Sequence, residues 1–352
     1  MPSAMSRPRI PWRPAVATAL LAMVAAPALA GPVYLPLGNA DRLAVVDHAS
    51  GEVRRILADL PAPHGAALTP DGTTLVVGSF AEREADTMPP RPAGVDPAAH
   101  ARHHAKKPAD DAGVTTISLL DPATGEVRRR VDLAGAVHHV AVDPSGRWAA
   151  FTHPGYGRAS VVDLAGGEAV LRIPTGEGPN YLVFSPDGRR LYVGNSGDDT
   201  VTVLRVGTWT VAGRFRLPVA PGHMALSPDG GRLYVADAAG GTVLAVATED
   251  GAVLARRDLG EALHGLALAP DGGTVFVAVT GGDRLVALDA ADLTVREERR
   301  FAAPYHVTVV TDGGRLMVSS AAEPVLHVWD LGDLDHVAAV RLDGIGHQAA
   351  HL

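Results

Sequence analysis

Hydrophobic residues in this chain fall into short alternating runs separated by turn-forming clusters. Between Gly178 and Leu204 one apolar run leads into Ser185-Pro186-Asp187-Gly188. A second, Leu191-Tyr192-Val193, leads into Gly197-Asp198-Asp199, and a third covers Thr200 to Leu204. Alternation with a period of two marks half-buried strands; in the turns, Pro presets φ and Gly takes the positive φ that closes a tight hairpin. The stretch predicts three strands of an antiparallel meander, with a fourth over Val211 to Leu217.

The same unit recurs. Its turn reappears as Thr69-Pro70-Asp71-Gly72, Asp143-Pro144-Ser145-Gly146, Ser227-Pro228-Asp229-Gly230, Ala269-Pro270-Asp271-Gly272 and Val310-Thr311-Asp312-Gly313. From Ser145 to Asp187, Asp229, Asp271 and Asp312 the steps are 42, 42, 42 and 41 residues. A four-stranded repeat of about 40–45 residues is the period of a propeller blade. Six full units begin with inner strands near His64, His138, Asn180, His223, His264 and His306. Residues from Gly31 to Leu60 supply three more strands, and the end of the chain, Gly346 to Leu352, resembles one further inner strand. A three-stranded start completed by a C-terminal strand leaves no open edge. The expected fold is therefore all-β: a seven-bladed β-propeller of four-stranded antiparallel blades, forming a single domain over residues 31–352. The Asp residues of the turns read as architectural.

The segments Leu191-Tyr192-Val193-Gly194-Asn195, Leu233-Tyr234-Val235-Ala236-Asp237 and Val275-Phe276-Val277-Ala278-Val279 resemble the signature strand of the YVTN-type repeat propellers. That resemblance covers nearly all of the chain after residue 30. It implies the fold and leaves the function open, because the fold hosts many.

Two segments depart from the repeat. Residues 1–30 read as a secretory signal: Arg7, Arg9 and Arg13 precede an apolar stretch from Ala15 to Ala26, and Ala28-Leu29-Ala30 is a small-residue cleavage site. Cleavage predicts a bacterial periplasmic or secreted protein starting at Gly31, with no membrane span. Residues 80–112 interrupt the blade that starts near residue 64, between its second and third strands. They are polar and rich in Pro, as mobile segments are. Within them Asp96-Pro97 would cap a short helix carrying His100, His103 and His104 on one face.

Composition narrows the chemistry. With no Cys the chain has no disulfide, thiolate metal site or Cys nucleophile. Without residues 1–30 it holds 28 basic and 39 acidic residues, a net charge of −11 that disfavours nucleic acid and anionic membrane. No nucleotide-binding or Ser-hydrolase fingerprint is present, and Trp148, Trp209 and Trp329 read as blade packing.

The 15 His are the distinctive feature. In a propeller each blade's inner strand lines the central channel. Counted back from each turn's Asp or Ser, His64, His138 and His264 lie seven residues earlier, and His139, His223 and His306 lie six earlier. His347 takes the equivalent place in the closing strand. Seven His occupy positions where random placement would put about 0.6; the blade carrying Asn180 and Tyr181 has none. Loops into strand one and between strands two and three share a face of the disc, so the His-bearing insert and His153 are expected at the same rim. His48, His327 and His336 read as structural or surface residues.

Several neutral imidazoles facing one cavity suit zinc or copper. A single His at a strand start is most often a polar plug, but the two registers and the His138-His139 doublet do not resemble simple copying of a repeat. The expected site is a shared zinc or copper centre drawn from His64, His138, His139, His223, His264, His306 and His347, with His100, His103 and His104 as auxiliary ligands. Because protons compete with metal at each imidazole, affinity is expected to fall steeply below about pH 6.

The His placement is similar to that of periplasmic zinc chaperones serving Azt-type uptake systems. This similarity implies a monomeric chaperone or storage protein, not an enzyme, that passes metal to a periplasmic solute receptor or another metalloprotein. The doublet also resembles the copper propeller of nitrous oxide reductase, implying a copper- or haem-linked redox enzyme or accessory. This chain lacks the Cys of that family's electron-entry copper and the CxxCH of c-type haem. A lactonase-like hydrolase or an interaction propeller is the third reading. It would gain from paired carboxylates and Arg at the mouth, and Glu177 and Glu261 form no evident pair in sequence.

Overall fold

In the computed structural model, which describes residues 31–83, 113–166 and 169–352, the alternating runs become 27 strands in seven antiparallel sheets. Six sheets have four strands each in sequential order, and the first has three. The strands before and after the Ser185 turn are Pro179–Phe184 and Arg190–Asn195, followed by Thr200–Arg205 and Thr210–Arg216. The last is one residue earlier than the alternation suggests, and the Leu217 amide still donates to the Asp199 carbonyl beyond it.

The core explains why the sheets form a ring. Buried hydrophobic residues group into seven clusters, and each draws on two successive sheets. Val76, Ile117 and Leu119 pack against Val140, Ala149, Phe151 and Val162; Val310, Met317 and Val328 from the last sheet pack against Val33, Leu35 and Val46 from the first. A fully buried Leu, Ile or Phe contributes about 1.5–3 kcal/mol, and here a blade gains that burial only from its neighbours. The chain is a seven-bladed β-propeller.

The C-terminal segment closes the ring as expected, by bridges rather than a full strand. Tyr34 and Ala350 exchange backbone hydrogen bonds of 2.8 and 2.9 Å, and the His347 amide donates to the Pro36 carbonyl. On its other side the Ala66 amide donates to the Gln348 carbonyl at 3.1 Å. The segment thus takes the inner place of the first blade, between strand Pro32–Leu37 and the inner strand Pro63–Leu68 of the second.

The repeated turn Asp residues are architectural. Asp71 accepts the Thr69 hydroxyl at 2.6 Å and the Thr73 amide at 3.0 Å, and Asp187 does the same with Ser185 and Arg189. Each thereby holds its own hairpin. Trp148 and Trp209 meet edge to face in the core. Residues 1–30, with the expected signal segment, and most of the insert, with His100, His103 and His104, lie outside the described residues.

Candidate metal centre

The seven His expected at the channel converge on its axis. His64 stacks on His138 with ring centroids 4.5 Å apart and approaches His347 at 4.2 Å. His139 lies 4.9 Å from His223, and His306 lies 5.0 Å from His223 and 4.7 Å from His264. They form two layers: His64, His138, His264 and His347 are partly accessible, whereas His139, His223 and His306 are buried.

Local backbone geometry lets adjacent residues share this centre. In a regular strand neighbours point to opposite faces. Here the pairing shifts at the His positions, between Pro63 and Ala66, Pro221 and Met224, and Pro304 and Val307. Opposite the doublet, the His138 amide donates to the Thr152 carbonyl while the Thr152 amide donates to the His139 carbonyl. Two residues therefore face one, as in a β-bulge, which re-aims side chains.

The ring nitrogens are poised as ligands. The Nδ1 atoms of His138 and His139 lie 3.3 and 2.9 Å from the Asn180 carbonyl. A carbonyl accepts only from a protonated nitrogen, so this contact fixes the tautomer of His139 and turns its Nε2 lone pair inward. The Nε2 atoms of His64, His139, His223, His264 and His306, and Nδ1 of His347, are buried without a hydrogen-bond partner. A lone orphan of this kind costs about 1–3 kcal/mol, and six lie around this one axis. Two groups of three His bring one nitrogen of each within 4.8 Å of the others: His64, His138 and His139, and His139, His223 and His306; only the second group consists wholly of His with an orphaned nitrogen.

Burial, reinforced by neighbouring imidazoles, keeps these rings neutral. It lowers His64 to about 2, His264 to about 3 and His347 to about 4, and pushes His139, His223 and His306 well below the ordinary 6.5. These rings therefore stay neutral into more acidic conditions than an ordinary imidazole does.

Other His are placed differently. His153 is not part of the rim. It is fully buried, its Nδ1 donates to the Gly135 carbonyl at 3.0 Å, and its Nε2 accepts from the Ser160 hydroxyl at 2.8 Å. Both nitrogens are committed, so it is a structural plug. His327 and His336 pair with each other on outer strands at 3.1 Å, and His48 is buried away from the centre.

Sequence reasoning passed over Phe80, Tyr305 and Gln348 as site residues. Phe80 lies 5.2 Å from His64 at the root of the insert, which puts that root at the mouth. Tyr305 stacks on His264 at 4.0 Å, and Tyr181 packs between His139 and His223. Tyr181, Tyr305 and Gln348 share the registers of the ring His, a signal present in the repeat. Glu261 pairs with Arg284 instead of another acid, and the metal-capable groups among the described residues contain only His.

Beneath the deeper layer the channel continues as an open cavity of about 520 Å³. His223, His306, Tyr181 and Gln348 are at its inner end, and its wall includes Ala67, Ala141, Ala225 and Ala267. The rest of the wall is mostly aliphatic, with Thr308 and His351 as further polar residues.

With this geometry in view, comparisons place the chain among propellers. A family model described as outer membrane protein assembly factor BamB matches residues 239–337. No curated protein matches the chain. Among solved structures, the periplasmic gluconolactonase PpgL of Pseudomonas aeruginosa is 20% identical with a TM-score of 0.70, covering 92% of this chain and 99% of its own. Kuenenia stuttgartiensis hydrazine synthase is 18% identical with a TM-score of 0.66, covering 84% and 90%. A Bacteroides fragilis structure described as a candidate 6-phosphogluconolactonase is 14% identical with a TM-score of 0.72, covering 92% and 98%. These likenesses establish the fold. Neither the YVTN-type nor the Azt-type resemblance is established by them. Among the described residues no helix is long and apolar enough to cross a membrane.

Proposed function

We propose that this propeller binds zinc or copper at its His centre and acts as a periplasmic or secreted carrier or store for that metal. The observation that carries the reading is the set of six buried ring nitrogens without partners, grouped so that three can meet one ion. Neutral imidazole is the ligand form for both metals. In this reading the recipient is a periplasmic solute receptor or another metalloprotein, and His100, His103 and His104 assist from the insert. Elemental analysis of exported protein tests it, beside a variant with His138, His139 and His264 changed to Ala. Stoichiometric zinc or copper, lost in a variant that still folds, supports the reading; no metal in either protein after reconstitution refutes it.

The solved neighbours favour a second reading over the first. Two carry lactonase names, and the cavity of about 520 Å³ ending on His223 and His306 has room for a sugar lactone. In this reading the imidazoles serve hydrolysis. Following acid release from gluconolactone, with and without a chelator, separates the two: turnover unaffected by chelation supports the hydrolase and counts against the carrier.

A further inference from the structure

His139 belongs to both three-His groups. Its Nδ1 lies 2.9 Å from the Asn180 carbonyl and so carries the proton, while its Nε2 is buried without a partner. One lone pair therefore serves both groups, and a lone pair binds one ion. The two groups cannot be completed together.

Accessibility gives them an order. His64 and His138 are partly exposed beside Phe80 at the mouth, whereas His139, His223 and His306 are buried. From the opposite side the channel wall is mostly aliphatic, with Ala67, Ala141, Ala225 and Ala267, and the imidazole it adds, His351, has its Nδ1 2.7 Å from the Leu352 carbonyl. An ion sheds its water in steps as ligands replace it. The first imidazoles it can reach are those of the outer group.

Resting on the metal-binding reading, we propose that His139 is a shared pivot of an internal metal relay. A single divalent ion is captured by His64, His138 and His139. It then passes to His139, His223 and His306 without leaving His139, exchanging His64 and His138 for His223 and His306. The outer group sets the rate of uptake, and the inner group sets retention. The device holds one ion at a time.

The test uses the full exported chain and zinc alone, with a fluorescent chelator as competitor. Wild type is expected to bind one zinc per chain. His64→Ala with His138→Ala is expected to slow uptake at least about 10-fold, with final affinity within about threefold. His223→Gln with His306→Gln is expected to keep rapid uptake and lose about 100-fold in retention. Cobalt(II) added to wild type supplies a readout free of variants: its d–d spectrum is expected to change in two phases at one equivalent.

Two ions per chain, a single-phase spectrum, or equal weakening of equilibrium affinity by both variants would overturn the relay while leaving metal binding intact. So would slowing by Ala225→Phe in the channel with no effect of the outer pair. Absence of any metal binding overturns the reading beneath it as well.

Discussion

Acidifying the metal-free protein from pH 7 to pH 5 is expected to destabilise it steeply. An unfolded His takes up a proton as the pH falls through about 6.5. In the folded centre His64, His264 and His347 stay neutral until about 2, 3 and 4, because burial and neighbouring rings oppose the charge. Between those values the unfolded state binds more protons, so stability is complete above 6.5 and is lost as pH falls. Each of the three rings then costs about 2 kcal/mol between pH 7 and 5, or about 6 kcal/mol together. Domains are stable by about 5–15 kcal/mol, so this loss is large, and His139, His223 and His306 add to it in the same direction. Urea unfolding in the presence of a chelator, followed by circular dichroism at several pH values, measures the slope. Replacing His64 and His264 with Asn is expected to remove about 4 kcal/mol of the pH dependence. A urea midpoint that stays constant from pH 7 to 5 would refute the burial of neutral rings.

The same structure fixes other outcomes. Thr152→Val removes the hydroxyl that accepts the His139 amide at 3.1 Å and donates to the Asn180 carbonyl at 2.9 Å; it is expected to cost about 1–3 kcal/mol in urea unfolding. If the centre binds metal, zinc affinity measured by chelator competition falls as well. His153→Ala breaks two buried hydrogen bonds outside the centre, so calorimetry is expected to show destabilisation of about 2–4 kcal/mol, with the wild-type metal content retained. Ending the chain at Gly344 removes both Tyr34–Ala350 hydrogen bonds and the Gln348 bridge. The opened ring is expected to melt several degrees lower and to associate through the exposed edges, measured by light scattering.

The fold was legible because each element repeats its own reasons. The 42-residue spacing and the hairpin turns place the blades, and alternation assigns the strands. The His centre was legible as a register, since seven His sit six or seven residues before a turn or at its equivalent in the closing segment. The errors came where register gives no direction. His153 ends a strand at the expected rim, but Gly135, just past a strand of the preceding blade, and Ser160, on the adjacent strand, satisfy it, and spacing alone does not join them. The pKa of the rings was likewise hidden, because desolvation belongs to the packed ring and not to any local stretch.

The two registers have a steric origin that joins sequence to site. Seven large side chains do not fit in one layer of a narrow channel, and packing resolves this by alternating large with small. Where the shallow position is His64 or His264, the deeper one is Gly65 or Gly265; where the deeper one is His223, the shallow one is Gly222. These glycines are required by close approach. A Cβ on Gly265 would lie 2.4 Å from the Tyr305 carbonyl oxygen, and one on Gly65 would lie 2.7 Å from Gln348 Oε1. Four other positions carry two large residues, His138-His139, Asn180-Tyr181, Tyr305-His306 and His347-Gln348, so the glycines relieve crowding at three of the seven. Exchange of duplicated residues during repeat growth would give seven equal His in one register. The observed division, with His138 and His139 at the junction between layers, is not that of simple copying. Gly265→Ala separates the accounts: if the glycines exist to seat the layers, the forced shift changes the environment of His264 and His306 in NMR spectra, whereas unchanged imidazole resonances would leave the layering without a packing cause.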